Sequence, residues 1–296
     1  MRLTPLDRCP LCSGPRLRLF RKGTVNPQAL GSDDFKITDS RYGSRWTFSA
    51  CRDCSFVFAN PMPDAEAIAG FYAGLEDDEY SREEEGRGRN FALILERLAR
   101  HAPPGALLLD VGAASGIFLN LARHSGYRVA GIEPSAALVA DAERLYGLKL
   151  FHGTAGQFVS RERFQIVTLL DVLEHVTDPH AFLGGLDRFL APGAVLAVVT
   201  PDVDSLAARL VGGRWWHYRT AHVTFFNRRT LDRLLRAHGY EVVERARFAW
   251  NFSLHYLWTR LLPLRGGKSL QEWLKRIHLK LHLFDSWEVY ARKSQG

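Results

Sequence analysis

Residues 106–122 read ALLLDVGAASGIFLNLA. The run 106–111 has the length of a buried strand, Gly112 and Gly116 interrupt it, and an apolar stripe at helical spacing follows from Ile117 to Ala122. Strand, glycine turn and helix in that order let a backbone approach a nucleotide closely. The loop alone specifies little, and the chain after it carries the weight. A second apolar run at 127–132 ends in Glu133, 23 residues beyond Asp110, where a carboxylate can accept hydrogen bonds from a ribose diol. Apolar runs at 148–152, at 164–170 ending in Asp171, and at 194–200 follow with helical stretches between them. This alternation predicts an α/β fold with a doubly wound, mainly parallel sheet.

The spacing of Gly112 and Gly116 departs from the GxGxxG of dinucleotide dehydrogenases. LLLDVGAASGIFL (107–119) and VAGIEPS (129–135) instead resemble the first two motifs of class I S-adenosylmethionine methyltransferases, and LLDVLEHVTDP (169–179) resembles the ubiquinone-type branch. The resemblance implies a seven-stranded Rossmann-like sheet and S-adenosyl-L-methionine as cofactor. By position it puts Asp110, Gly112, Ala113 and Gly116 in the cofactor loop, Glu133 and Pro134 at the ribose, and Asp171, Val172 and Leu173 along the methionine and sulfonium side. After the third strand, where many relatives have an acidic residue near adenine, this chain has HGTAGQ (152–157), so Gln157 or Thr154 is expected to stand in.

TPDVDSLAARLVGGRWWHYRTAHVTFFNRRTL (200–231) fits neither the helical nor the strand period at its centre. It resembles a bacterial methyltransferase family associated with sugar, surface-glycan and secondary-metabolite pathways, whose His-x-x-x-Phe element is matched by His222 and Phe226. Members often carry a paired CxxC module, which extends the resemblance over nearly the whole chain. A hydroxyl acceptor benefits from a general base, and histidine has the right proton affinity. His222 leads, followed by His217 and His175, with Tyr218 beside them. The competing expectation is that His222 ties the loop to the sheet and His175 shapes the cofactor pocket. Arg214 and Arg219 could hold the phosphate of a nucleotide-linked sugar while neighbouring rings stack on it, although Trp215 is equally a core or lid residue.

All four cysteines fall in two pairs, Cys9-Pro-Leu-Cys12 and Cys51-Arg-Asp-Cys54. Two such turns offer four thiolates in tetrahedral geometry, the closed donor set of a structural Zn2+. A redox, iron-sulfur or disulfide use is the alternative. Alternating segments around 45–48 and 55–58 predict a ribbon module over residues 1–62 that depends on its metal to fold. A helical cap over 63–102 would follow, opened by Asp64 and including a mobile acidic connection at 75–89, with the methyltransferase domain at 103–296.

The chain has 296 residues, 46% hydrophobic and 24% charged, which excludes a disordered class. No run reaches the ~18 apolar residues of a membrane span, and the first residues lack a signal-peptide core, so a cytoplasmic protein is expected. From Gly212 onward there are 16 Lys/Arg against 6 Asp/Glu, and before it 23 against 26. The basic excess therefore lies in the last third. An insertion at about 250–284 carries two stripes, Leu254, Leu257, Trp258, Leu261 and Leu270, Trp273, Leu274, Ile277, Leu281, with Lys275, Arg276 and Lys280 opposite the second. These predict helices packed over the substrate mouth, docked on an anionic membrane, or forming a dimer interface, so a monomer and a dimer are both open. The leading expectation is methyl transfer to oxygen or carbon of a small molecule, sugar or lipid-linked. An RNA methyltransferase is second, disfavoured because residues 1–60 lack a concentrated basic patch. A non-catalytic cofactor sensor is third.

Overall fold

The cysteine pairs sit at the turns of a small antiparallel sheet. The structure is a computed structural model describing residues 1–36, 43–77, 84–248, 250–254, 258, 273–274, 277–281 and 283–294. Strand β1 (Leu3–Thr4) is followed by β2 (Leu17–Arg21), β3 (Phe48–Cys51), β4 (Val57–Ala59) and β5 (Met62–Pro63). β2, β3 and β4 pair in sequence order, and β5 returns to β1. Asp64 then caps α1 (Ala65–Ala73) by accepting from the Glu66 N–H. Helix α2 (Glu84–Leu98) takes in the second half of the acidic stretch expected as a connection; residues 78–83 of that stretch lie outside the described residues.

The decisive run forms β6 (Leu107–Val111), buried along its whole length, as a strand covered on both faces must be. Helix α3 (Ile117–His124), β7 (Arg128–Glu133), α4 (Ala136–Tyr146), β8 (Phe151–His152), β9 (Phe164–Leu170), α5 (Pro179–Leu186) and β10 (Leu190–Pro201) continue the alternation. After the short helix α6 (Leu206–Val211) come β11 (Thr224–Phe225), α7 (Arg228–Ala237), β12 (Tyr240–Arg247), β13 (Trp250–Ser253), β14 (His278–Leu281) and β15 (Ser286–Lys293). The main sheet has seven strands in the order β12-β15-β10-β9-β6-β7-β8, parallel from β10 to β8, with β15 antiparallel to both β10 and β12. The carboxyl ends of β6, β7, β9 and β10 share one edge, where open α/β sheets place their ligands.

The aromatic loop does not stand free of the ribbon. Its strand β11 pairs with β4, Thr224 opposite Phe58 and Phe225 opposite Val57, so the small sheet has the order β11-β4-β3-β2. Phe48, Phe56, Phe58, Trp215, Tyr218, Phe225 and Phe226 are all buried in the cluster that also holds Leu109, Val167 and Val198 of the main sheet. The Trp46 indole donates to the Thr220 carbonyl at 2.7 Å, a further link from ribbon to loop.

In the insertion, β13 and β14 form an antiparallel ladder with Trp250 opposite Leu281 and Phe252 opposite Leu279. Leu281, placed by the sequence on a helical stripe, is thus in a strand. Pairing with β13 satisfies backbone groups that a helix ending there would have left open. Most of the two expected helices lies outside the described residues.

The shared core sets a measurable expectation. Phe225→Ala, at a fully buried position joining loop to ribbon, should cost about 3–5 kcal/mol in urea-unfolding experiments. A loss below about 1 kcal/mol, the range of surface substitutions, would show that the two do not share one core.

Candidate functional site

The turn after β6 is shaped by backbone geometry that side chains resist. Gly112 and Gly116 both have φ of 79°, and a Cβ at Gly112 would come within 3.0 Å of Val172 Cγ2 at the end of β9. Glycine there keeps the crevice between β6 and β9 open. The Gly112 and Ala113 N–H groups both donate to the Ile132 carbonyl. Glu133 then closes the arrangement, its two carboxylate oxygens accepting from the Ala114 and Ser135 N–H groups, each at 2.8 Å. Ser115, fully buried in the same turn, has a hydroxyl with no partner among the described residues.

Burial pushes both acidic groups of this turn up to about 7. For Asp110 the Thr168 hydroxyl, donating at 2.6 Å, opposes the rise, whereas for Glu133 the two N–H donors do so. Asp171 follows β9 at φ 55°, exposed at the sheet edge with half-buried Val172 behind it. Pro134 is half-buried, and its carbonyl lies 3.1 Å from His152 Nε2. Gln157 is exposed, and its side-chain oxygen accepts from both the N–H and the hydroxyl of Thr154, closing its own turn.

The same turn after β9 carries Glu174 and His175. Glu174 is fully buried, accepts from the Thr200 hydroxyl at 2.9 Å through one oxygen, and has no partner among the described residues at the other. Burial, reinforced by the charge of Asp171, holds its carboxyl well above the usual range. His175 Nδ1 lies 2.6 Å from the Tyr72 hydroxyl and 2.9 Å from the Ala221 carbonyl. A carbonyl only accepts, so the contact with Ala221 assigns the Nδ1 proton, and the Tyr72 oxygen can share it. His222 packs edge-on against His175, ring centroids 4.7 Å apart. One ligand atom from each of Glu174, His175 and His222 falls within 4.8 Å of the others.

His222 is buried, and its Nδ1 has no partner among the described residues. Burial, and then the positive ends of His175, His217 and Arg219, hold it well below the ordinary histidine value. Burial likewise lowers His175 to about 4, with the Ala221 and Asp171 carbonyls opposing. Both imidazoles are therefore neutral near pH 7. His217 takes a different partner, with Nε2 3.1 Å from Asp285, whose same oxygen accepts from the Trp216 indole at 2.7 Å. Tyr218 turns toward the ribbon, packed against Phe48, Trp215 and Phe225 with the Arg21 guanidinium over its ring. The catalytic group expected from the sequence thus divides: His175 and His222 meet, His217 stands beside them on Asp285, and Tyr218 serves the aromatic core. Tyr72, Glu174 and Asp285 were missed. A tyrosine at a helix end, the glutamate before an expected histidine and an aspartate 63 residues beyond His222 give no local signal.

The four thiols form a second cluster. Cys9 Sγ lies 3.6 Å from Cys54 Sγ and Cys12 Sγ 3.6 Å from Cys51 Sγ, and all four sulfurs fall within 4.8 Å of one another. Tetrahedral coordination at a Zn–S distance of about 2.3 Å needs sulfurs about 3.8 Å apart, so the donors fit. The two knuckles match: Ser13 N–H bonds to the Cys9 carbonyl and Ser55 N–H to that of Cys51, with Ser13 and Ser55 both at positive φ. Leu11 and Asp53 N–H groups each point at a sulfur at 3.4 Å. Burial pushes the Cys12 thiol up to about 11, a bias that a bound cation would reverse.

A family model described as a methyltransferase domain matches residues 82–245, more than half of the chain. The chain belongs to that family. Among its relatives, the ubiquinone biosynthesis O-methyltransferase of Bradyrhizobium sp. (strain ORS 278) is 34% identical over 129 residues, covering 40% of this chain and 51% of the relative. The enzyme of the same name from Rhodopseudomonas palustris (strain BisA53) is 31% identical over 159 residues, covering 50% and 63%. The chain thus spans about half to just under two thirds of the relatives it matches. Two solved structures share the methyltransferase fold. Magnesium protoporphyrin IX methyltransferase from Synechocystis PCC 6803, with SAH bound, aligns at TM-score 0.51 and 13% identity over 77% of this chain and 92% of its own. Burkholderia thailandensis 1,6-didemethyltoxoflavin-N1-methyltransferase aligns at 0.50 and 17% over 82% and 97%.

The sulfur cluster predicts about one zinc per purified chain by atomic emission. Cys12→Ser should abolish it and lower the thermal unfolding midpoint, and a metal-free chain of unchanged midpoint would remove the metal from the structure.

Proposed function

We propose that the chain is an S-adenosylmethionine-dependent methyltransferase acting on a hydroxyl of a small molecule. One observation carries the reading: the turn after β9 holds Asp171, Val172 and Leu173 at the nucleotide crevice and, within the next two residues, Glu174 and His175 against His222. A nucleotide-type crevice and a pair of neutral imidazoles therefore adjoin at one sheet edge. Sugar or lipid-linked glycan intermediates are the first acceptors to test. With Trp215 and Tyr218 sealed in the core, recognition falls to Tyr72, Arg219 and the histidine pair.

The crevice fits the cofactor on its own terms. Gly112 keeps open the approach that a Cβ would narrow, Ser115 has an unused hydroxyl, and each Glu133 oxygen retains a lone pair after its N–H contact. Glu133 would hold the ribose, the 112–116 loop the amino-acid end, and Asp171 to Leu173 the sulfonium side. S-adenosylmethionine supplies, when bound, an electrophilic methyl group that needs no metal. The protein's part is alignment, proton removal and exclusion of water. His222 Nδ1, buried and without a partner among the described residues, takes the acceptor proton. His175, held by the Ala221 carbonyl, fixes Tyr72, and the Tyr72 hydroxyl orients the acceptor oxygen. The four thiolates would hold Zn2+ as a structural ion, away from the reaction.

Glu133→Ala should weaken S-adenosylmethionine binding by about ten-fold or more in calorimetry, the scale of a lost charged hydrogen bond. His222→Ala should lower kcat for labelled-methyl incorporation about 10²–10⁴-fold with cofactor affinity kept. Unchanged turnover would remove His222 as the base. Because burial keeps both imidazoles neutral below the ordinary value, with His175 at about 4, whereas Glu133, pushed up to about 7, acts on cofactor binding, kcat at saturating S-adenosylmethionine should persist as the pH falls through 6.5. A loss centred there would mean an exposed histidine instead. Labelled methyl appearing in RNA and in no small hydroxyl compound would overturn the acceptor class.

A further inference from the structure

Outside this site, one face joins unpaired positive charge to unpartnered aliphatic surface. On α7, Leu231, Leu234 and Leu235 are buried while Arg228, Arg229, Arg233 and Arg236 are exposed. From Arg228 to Arg236 the charges span roughly 12 Å of helix axis. Arg229, Arg233 and Arg236 line a hollow of about 530 Å³ beside the Cys54 knuckle, and Arg209 of α6 joins Arg228 and Arg229 around a second of about 420 Å³. Ser55 and Arg229 border both, so the hollows lie side by side.

The carboxylates here are already engaged. Asp232 pairs with Arg245, Asp202 with Arg247 and Asp53 with Arg16, while Asp204 accepts from the Asn227 amide. Among the described residues no carboxylate pairs with Arg209, Arg228, Arg229, Arg233 or Arg236. Next to Arg209 on α6, Leu206 and Leu210 are 67% and 77% exposed. At i, i+3 and i+4, Leu206, Arg209 and Leu210 share one helix face.

We infer that this face docks on an anionic lipid bilayer, with Leu206 and Leu210 entering the headgroup boundary and the α7 arginines holding lipid phosphates in the two hollows. Guanidinium forks match phosphate oxygens, and flanking aliphatic side chains gain only where hydrocarbon is present, which separates a bilayer from a soluble polyanion. Helix α6 starts just beyond the carboxyl end of β10, so docking sets the active edge of the sheet near the lipid. The inference stands apart from the methyl-transfer reading and is tested without it.

The test is sedimentation of the full chain with vesicles of phosphatidylglycerol and phosphatidylcholine against vesicles of phosphatidylcholine alone. Binding should require the anionic lipid. Arg229→Ala and Arg233→Ala should each weaken it about five-fold, and Leu206→Ser with Leu210→Ser about ten-fold or more at unchanged net charge. Both pairs are exposed, and unchanged thermal unfolding will show that each variant is folded. No binding to anionic vesicles overturns the inference. So does binding that survives both pairs, or that falls with the arginines while ignoring the leucines, the signature of a soluble polyanion such as RNA.

Discussion

The ladder between β4 and β11 is short, yet the candidate site depends on it. A segment with neither helical nor strand periodicity cannot hold His217 and His222 in place by itself. Pairing Thr224 and Phe225 with the ribbon, and burying Trp215, Tyr218 and Phe226 with ribbon aromatics, gives the segment an external scaffold. The Val223 N–H then bonds to the Glu174 carbonyl and the Thr224 hydroxyl to that of Leu173. Ribbon, loop and the turn after β9 become one body, and the histidines stay where that body puts them. On this account the cysteine knuckles act on the site mechanically, by stiffening the sheet against which the loop packs.

Burial sets the electrostatics of the edge. Asp110, Glu133 and Glu174 are withdrawn from water, so their carboxyls rise, and His175 and His222 are withdrawn too, so their imidazoles fall. Both trends favour neutral groups, as a low-dielectric pocket must. Such a pocket suits a reaction whose cofactor brings its own positive charge, because neutral walls neither repel the sulfonium nor trap it.

The parts of this site legible in the sequence were those tied to strand ends. Asp110, Gly112, Glu133 and Asp171 lie at the ends of apolar runs and Gly116 opens the helix after the first, and a strand's carboxyl end has a fixed place in a parallel sheet. His222 was legible through its spacing to Phe226 and its setting in the aromatic loop. Tyr72 was not, because its contact with His175 crosses 103 positions. Asp285 reaches His217 across 68. Tyr218 makes a related point: residue type advertises a hydroxyl, but only packing puts Arg21 over its ring and Phe48, Trp215 and Phe225 around it.

By itself, then, the sequence determined the alternation of strands and helices from β6 to β10, the nucleotide-type turn and the four-sulfur cluster. All three rest on short-range rules of periodicity, backbone freedom and ligand spacing. Tertiary structure decided that the aromatic loop completes the ribbon's sheet, that Tyr72 and Glu174 join the histidine pair, and that the α7 arginines pair with no carboxylate among the described residues. These depend on which distant surfaces are buried together, and burial is a property of the whole chain folded at once.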